Sequence, residues 1–220
     1  WFVPRPRWLT AIGSVLYAIL WVLTRLLFRL RLVGRVHLPR EGQVVFTSNH
    51  LSDLDVFVLV AALPWARAKQ LAWGGDMERL FNTPALRLLA RIGGVFPVDD
   101  RRPARSIALA RAAVAAGRSL VWFPESWRSP DGTLQRFLPG IGHVLRDYRG
   151  LVMPMRIVGT YEAQPRGQKL PRPAPVCIHL GAPVRAQAQA GESETRAAER
   201  IAQDLHDAVA ALGDGGTAAR

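Results

Sequence analysis

The chain opens with a long apolar segment and then changes to short apolar runs. Residues 8–24 are seventeen positions without a charge, Arg5 and Arg7 precede them, and Arg25 follows. As a helix they extend roughly 25 Å, slightly less than a bilayer core of about 30 Å. An inserted or interfacial membrane anchor, a buried core helix and a signal peptide are all compatible with this pattern. We favour the anchor, because arginines and leucines continue to Arg31 without a small-residue cleavage site.

Beyond Gly34, apolar or β-branched runs of strand length alternate with helical segments. The runs lie at residues 44–48, 94–98, 120–124, 151–158 and 175–180. Residues 103–116 begin with proline, are rich in alanine and stop at a glycine, which predicts a helix. Residues 195–212 place apolar side chains on one helical face. The pattern predicts an α/β fold: a mostly buried mixed sheet flanked by helices, after an N-terminal membrane-associated helix.

These patterns divide the 220 residues into three segments. Residues 1–34 form the anchoring or interfacial helix, 35–213 form the α/β domain, and 214–220 form a tail that we expect to be disordered. The domain is long enough for one substantial core. The chain begins with Trp1 and not with methionine, so we expect a processed chain or part of a longer protein.

The net charge indicates the kind of partner, and the cysteine content limits the disulfides and metal sites that are possible. The net charge is +12, and all 29 basic residues except Lys69 and Lys169 are arginines. Such an excess favours nucleic acid, an acidic membrane surface or phosphorylated substrates, although a general preference for arginine explains part of it. The basic residues form no compact run or zinc-finger spacing, so we expect membrane lipids and not nucleic acid as the partner. Cys177 is the single cysteine, which excludes an internal disulfide framework and a cysteine metal cluster.

A histidine and an aspartate stand close together directly after the first strand-like run. In the segment SNHLSDLD, His50 and Asp55 are five positions apart, at a strand end where α/β folds place functional groups. Imidazole is suited to remove a hydroxyl proton at neutral pH, and a neighbouring carboxylate would orient it. Alternatively, Ser52 or Asp53 caps a helix and the histidine is an ordinary buried one. We predict His50 and Asp55 as the catalytic residues.

Two further segments carry candidate binding residues. In FPESWRSPDG, Phe123, Pro124, Glu125 and Arg128 follow a strand-like run, and the arginine would bind a phosphate at two points. In GGVFPVDDRR, Gly94 permits a tight entry to a strand, and Arg101 follows the strand next to a helix start. A surface ion pair with a turn, and a charged loop that caps a helix, are the alternatives for the two segments.

Taken in order, these segments resemble the glycerophospholipid acyltransferase family, the 1-acylglycerol-3-phosphate O-acyltransferase or lysophospholipid acyltransferase group. The family's first motif, Asn-His with an Asp five residues beyond the His, is matched by Asn49, His50 and Asp55. Its second is matched loosely, with Asp100 in the arginine slot and the arginine displaced to 101. Its third is Phe-Pro-Glu-Gly-Thr-Arg-Ser, and its fourth is an apolar run around a proline, here 152–158. The resemblance covers residues 35–185.

The resemblance implies direct transfer of an acyl group from acyl-CoA or acyl-carrier protein to a lysophospholipid hydroxyl, with no cofactor and no metal. His50 would be the general base and Asp55 its partner, while Arg101, Glu125 and Arg128 would hold the acceptor. One departure is Ser126–Trp127 in place of Gly-Thr, which points to a lysolipid other than lysophosphatidic acid or to a bulkier hydroxyl acceptor.

We expect the protein on the cytoplasmic face of the inner membrane. A catalytically silent lipid-binding domain of the same fold is the alternative function, and the sequence does not indicate an oligomeric state.

Overall fold

A computed structural model describes residues 2–214 and contains a seven-stranded mixed sheet between two layers of helices. The strands are β1 (Arg31–Val33), β2 (Val44–Ser48), β3 (Leu71–Asp76), β4 (Val95–Val98), β5 (Ser119–Trp122), β6 (Leu151–Val158) and β7 (Cys177–Leu180). The helices are α1 (Arg7–Phe28), α2 (Asp55–Ala62), α3 (Trp65–Ala68), α4 (Met77–Leu80), α5 (Pro84–Gly93), α6 (Pro103–Ala115), α7 (Gly140–Leu145), α8 (Thr160–Ala163) and α9 (Glu194–Asp214). The sequence prediction of an α/β fold is confirmed.

The strand directions determine where functional residues meet. The sheet order is β1-β7-β6-β2-β5-β3-β4. The five strands from β6 to β4 are parallel, β7 runs antiparallel to β6, and β1 runs parallel to β7. Loops that follow β2, β3, β4 and β5 therefore leave from one edge of the sheet, which we call the carboxyl edge. The residues that precede β3, β4 and β5 lie at the opposite edge, the amino edge.

Each face of the sheet packs against its own helices, since alternate strand residues point to opposite faces. Val45 and Leu120 face α6, α7 and α9, while Val44 and Phe46 face α2 and the end of α1. Gly142 of α7 lies against the backbone of α9, where a Cβ atom would collide with Ala198. This glycine therefore serves close helix packing and not the approach to a ligand. Burial of both faces produces two large apolar clusters.

Most strand-like runs of the sequence occur as strands, but β1 and β3 were not predicted. The runs at 44–48 and 151–158 match β2 and β6 residue for residue. β3 has the sequence LAWGGD, and two adjacent glycines lower the propensity for a strand. Added Cβ atoms at Gly74 and Gly75 would collide with Val98 and Val95 of the neighbouring β4. Glycine is required here because these side chains occupy the space above it.

The predicted N-terminal helix is α1, which lies on α2 and α5. Four of its residues are buried, namely Leu9, Gly13, Thr24 and Phe28. Its other face exposes large apolar side chains, namely Trp8, Ile12, Val15, Leu16, Ile19, Trp21, Val22, Leu23, Leu26 and Leu27. This exposure does not agree with a buried core helix. Within residues 2–214, α1 is the one helix long and apolar enough to cross a membrane.

The strand β1 follows α1 at once and joins the sheet through β7, so residues 31–33 are part of the main fold. At the other end, the tail predicted for residues 214–220 lies outside the described residues, apart from Asp214, with which α9 ends.

Candidate active site

The predicted pair, His50 and Asp55, meets at the carboxyl edge of the central strand β2. β2 ends at Ser48, a short loop follows, and α2 begins at Asp55. The Asp55 side chain turns back over this loop, where its Oδ2 accepts hydrogen bonds from the backbone N–H groups of Leu51 (2.6 Å) and Ser52 (2.9 Å). A carboxylate in the first turn of a helix is also stabilised by the helix dipole. The loop and the helix start thus fix the carboxylate.

The imidazole of His50 is oriented by that carboxylate. Nδ1 of His50 lies 2.7 Å from Asp55 Oδ2, and the ring stacks on Phe123 at a centroid distance of 4.3 Å. Because a carboxylate oxygen can only accept a hydrogen bond, Nδ1 carries the hydrogen and donates it, and Nε2 keeps its lone pair. Nε2 has no hydrogen-bond partner within the described part of the chain, and the side chain is 18% exposed. The ring can therefore receive a proton from a molecule at the surface.

Asn49 holds this loop to the neighbouring strand β6. Its side-chain amide donates to the carbonyl oxygen of Ile157 and accepts from the N–H of Ile157, both at 2.8 Å. Asn49 is fully buried, so these bonds are shielded from water. These two hydrogen bonds fix the backbone immediately before His50.

Glu125 is a buried carboxyl group beside the pair. Its side chain is 7% exposed, and Oε1 accepts a hydrogen bond from the N–H of Gln135 at 3.3 Å. Burial raises the pKa of Glu125 to about 8, the Gln135 and His50 backbone N–H groups oppose this rise, and the charge of Asp55 adds to it. The carboxyl is therefore mostly protonated at neutral pH. Oε2 is buried without a partner among the described residues.

A row of charged side chains borders the pair, and Asp53 is at its centre. Arg128 donates to Asp53 Oδ2 at 2.7 Å, and Arg79 reaches the same oxygen at 3.4 Å. Arg101 pairs with Glu78 at 3.6 Å, next to Arg79 on α4. The structure thus brings both predicted arginines to the carboxyl edge. Arg128 is 17% exposed and Arg101 is 84% exposed.

The sequence prediction did not include Asp53 as a partner of Arg128, or Arg79. Asp53 was considered only as a helix cap. Arg79 follows β3, which was not predicted as a strand because it contains two adjacent glycines. The sequence therefore did not indicate that Arg79 lies at the carboxyl edge.

Gly94, by contrast, is not brought to this site. It ends α5 with a left-handed backbone (φ 75°) and precedes β4, which places it at the amino edge. Gly94 stands at the start of β4, as the sequence indicated, so this position does not support its grouping with Arg101 as a binding residue. The other predicted residues, Phe123 and Pro124, follow β5 at the carboxyl edge, where Pro124 accepts a hydrogen bond from Leu138 N–H.

No group of three or more His, Cys, Asp or Glu side chains within residues 2–214 is placed to hold a metal ion. The side chains that the structure gathers at this edge are an oriented imidazole, a buried carboxyl group and arginines.

Comparison with known families gives the same assignment as the motifs. The model of the Acyltransferase family matches residues 29–158, which include the histidine–aspartate pair, Glu125 and Arg128. The chain belongs to the Acyltransferase family. The match starts at the end of α1 and stops at the end of β6.

Similar curated proteins carry names of this family. The chain is 26% identical over 151 residues to a 1-acyl-sn-glycerol-3-phosphate acyltransferase of Cocos nucifera, which covers 65% of the chain and 46% of that protein. It is 26% identical over 159 residues to a protein of the same name from Limnanthes douglasii, covering 70% of the chain and 54% of that protein. The chain thus spans about half the length of the curated relatives that it matches.

A solved structure shares the fold. The crystal structure of the 1-acyl-sn-glycerophosphate acyltransferase PlsC from Thermotoga maritima superposes with a TM-score of 0.66 at 20% sequence identity. The superposition covers 96% of this chain and 85% of that one. The two chains therefore share the α/β fold.

Within the family's third motif, this chain replaces Gly-Thr by Ser126–Trp127. Ser126 has a left-handed backbone with φ 69°, a conformation that glycine adopts without strain. Trp127 is 53% exposed, and the guanidinium of Arg166 lies 5.8 Å from its ring centroid. Ser126 thus holds a conformation that suits glycine, and the indole of Trp127 extends outward next to it.

Proposed function

We propose that this chain is an O-acyltransferase of the 1-acylglycerol-3-phosphate type, which esterifies the free hydroxyl of lysophosphatidic acid or a related lysophospholipid. One observation carries the proposal: His50 Nδ1 is held 2.7 Å from the buried Asp55 carboxylate while the ring keeps an exposed edge. Only Nε2 is then left to accept the proton of an incoming alcohol. The names of the relatives support an acylglycerol phosphate as the acceptor.

In the proposed reaction, Nε2 of His50 takes the acceptor's hydroxyl proton as the hydroxyl oxygen bonds to the carbonyl carbon of a thioester. The tetrahedral intermediate then collapses, the carbon–sulfur bond breaks, and the imidazolium returns the proton to the leaving thiolate. The donor is acyl-CoA or acyl-carrier protein. Asp55 stabilises the imidazolium, as the carboxylate of a catalytic triad does. The alcohol is itself the nucleophile, so this route needs no acyl-enzyme, metal or resident cofactor.

The charged row beside the pair suits an acceptor that carries a phosphate. Two guanidiniums, those of Arg79 and Arg128, contact the single carboxylate of Asp53, so each keeps N–H donors for another anion. A phosphate would bind to these remaining donors, with Arg101 as an outer contact. Asp53 competes with the phosphate for Arg128. The protonated Glu125 would donate a hydrogen bond to an acceptor oxygen.

We propose membrane lipids as the partner and the cytoplasmic face of the inner membrane as the location. The outer face of α1 carries exposed leucines, isoleucine, valines and two tryptophans, which suits insertion at a lipid interface. The net charge of +12 would add attraction to anionic lipid headgroups. A lysolipid acceptor could then reach the site without leaving the membrane.

Product analysis by mass spectrometry tests the proposal. Purified protein is incubated with lysophosphatidic acid and either acyl-CoA or acyl-carrier protein, and we expect a diacyl product. His50→Ala should reduce the rate by roughly 10²–10⁴-fold, the range for loss of a general base. The matched control is His37→Ala, an exposed histidine in the turn Arg35–His37 after β1, and it should keep the rate.

Two outcomes would contradict the proposal. Equal product from wild type and His50→Ala would exclude His50 as the base. Lysolipid binding by the wild type without any product from either donor would instead support the silent lipid-binding alternative.

A further inference from the structure

A small cavity lies at the amino edge of the sheet, on the far side from His50. It has a volume of about 20 Å³ and lies at the starts of β3, β4 and β5. The N-terminal segment closes it, because the ring of Phe2 packs edge-on against Phe96 of β4 at 5.9 Å. Three arginines line the cavity, namely Arg5, Arg91 and Arg118, and Gly94 forms part of its wall. We call these four residues the arginine niche.

The positive charge of the niche is not balanced. Of the residues that line the cavity, none in the described chain is acidic, and neither Arg5 nor Arg91 forms an ion pair with a described acidic residue. Burial, together with the charges of Arg118 and Arg91, lowers the pKa of Arg5 to about 10. Burial also lowers the pKa of Arg118. Arg5 and Arg118 are partly buried and Arg91 is exposed beside them, and the repulsion among these like charges favours binding of an anion.

The guanidiniums are held so that donors remain free. Nη2 of Arg118 donates to the carbonyl oxygens of Lys69 (3.2 Å) and Leu71 (3.1 Å). These bonds fix the guanidinium at the amino edge of the sheet. Its Nε is buried and has no acceptor among the described residues. Nη2 of Arg5 lies 2.8 Å from the point that a Cβ of residue 94 would occupy. Glycine at this position therefore leaves the room in which Arg5 lies.

We propose that the arginine niche is a binding site for a phosphate-type oxyanion, either free phosphate or the phosphate of an anionic lipid headgroup. Guanidinium groups present paired N–H donors that match the oxygens of such an anion better than a halide. A cavity of about 20 Å³ admits roughly one oxygen-sized group, so one phosphate oxygen would enter and the others would stay at the mouth.

The site is independent of the proposed acyl transfer, because it lies at the edge of the sheet opposite to His50 and Asp55. Its position near the start of α1 suggests a role in attachment to a membrane surface. Arg5 stands two residues before α1, and the outer face of α1 is apolar. A lipid phosphate bound in the niche would join the headgroup layer both to this segment and to the sheet, through Arg118. The anion would then hold the domain against the membrane helix.

Thermal unfolding of the full chain in phosphate and in chloride, at equal ionic strength, tests the site. We expect phosphate at about ten times its Kd to raise the wild-type Tm by roughly 3–6 °C. The variant Arg5→Gln/Arg91→Gln should lose this rise. The matched control Arg105→Gln/Arg136→Gln removes two exposed arginines without described side-chain partners, and it should keep the rise.

A second measurement separates an anion site from a structural role of the arginines. In phosphate-free buffer the Tm of Arg5→Gln/Arg91→Gln should equal or exceed that of the wild type, because repulsion in the niche is relieved. A lower Tm there would mean that the arginines stabilise the fold through protein contacts, and the proposal would be overturned.

Vesicle binding identifies the source of the phosphate. Cosedimentation with phosphatidylglycerol vesicles, compared with phosphatidylcholine vesicles, should weaken more in Arg5→Gln/Arg91→Gln than in the control of equal charge if a lipid headgroup is the ligand. Phosphate stabilisation of the wild type without such a difference supports free phosphate as the ligand. Equal behaviour of the two double variants in both assays would refute the site.

Discussion

Replacing Glu125 by glutamine should remove a pH dependence of stability that this one carboxyl imposes. The folded protein raises the pKa of Glu125 to about 8, whereas the ordinary value is 4.5. Between these two values the folded state keeps a proton that the unfolded state releases. The free energy of unfolding must therefore fall as the pH rises from the lower value to the higher one. Glutamine is neutral at every pH and has nearly the same shape, so it resembles the protonated acid.

The size of the effect follows from the same shift. Each pKa unit corresponds to about 1.4 kcal/mol, so the full difference sets an upper bound of about 5 kcal/mol. Water penetration around a carboxyl that is 7% exposed reduces it, and we expect about 2–4 kcal/mol. Oε1 of Glu125 accepts the Gln135 N–H, and the glutamine oxygen can take over that bond. The substitution should then cost little at acid pH.

Urea unfolding followed by tryptophan fluorescence, at about pH 5 and about pH 9, measures the difference. Wild type should lose about 2–4 kcal/mol more than Glu125→Gln between these conditions. Glu199→Gln is the control, because Glu199 is an exposed carboxyl of α9. Parallel losses in wild type and Glu125→Gln would show that the carboxyl is already ionised at neutral pH, and that burial does not control it.

Three further substitutions have defined outcomes. Asp55→Asn should lower kcat of acyl transfer by roughly 10²–10⁴-fold, because the imidazolium loses its stabilising charge; steady-state kinetics and a retained Tm check this. Asp53→Asn should raise kcat/KM for lysophosphatidic acid about 3–10-fold relative to monoacylglycerol, because Arg128 loses its competing carboxylate. An equal change for both acceptors would exclude this competition. Ser126→Gly should raise the Tm by about 1–3 °C in calorimetry, because glycine relieves the strain at φ 69°. An unchanged Tm would mean that the serine is unstrained.

The sequence predicted the fold where apolar runs were uninterrupted. β2 and β6 consist almost entirely of apolar or β-branched residues, and they lie in the middle of the sheet where both faces are buried. β3 was not predicted, and the reason is visible only in the tertiary structure. Gly74 and Gly75 are needed because side chains of β4 occupy the space above them, and an isolated sequence shows glycines without that neighbour.

In the candidate site, contacts between residues close in the sequence could be predicted, whereas contacts between residues far apart in the sequence could not. His50 and Asp55 lie within one loop and one helical turn, so their spacing allowed a pair, and the resemblance to the family's first motif favoured it over a helix cap with a buried histidine. Asp53 and Arg128 are 75 positions apart, and nothing local in either segment indicates their ion pair. Gly94 and Arg101 were grouped in one candidate segment, but they stand before and after β4 and therefore lie at opposite edges of the sheet.

The side chain of Asn49 acts as an additional peptide group. β2 and β6 end their regular pairing at Ser48 and Met155, and the carboxamide then pairs with both backbone groups of Ile157 as a further strand residue would. Aspartate could not replace it, because a carboxylate offers no donor to the carbonyl oxygen of Ile157. The backbone that carries the imidazole of the next residue is thus attached to the sheet. The histidine belongs to a loop, but through Asn49 its position is tied to two buried strands in the middle of the sheet.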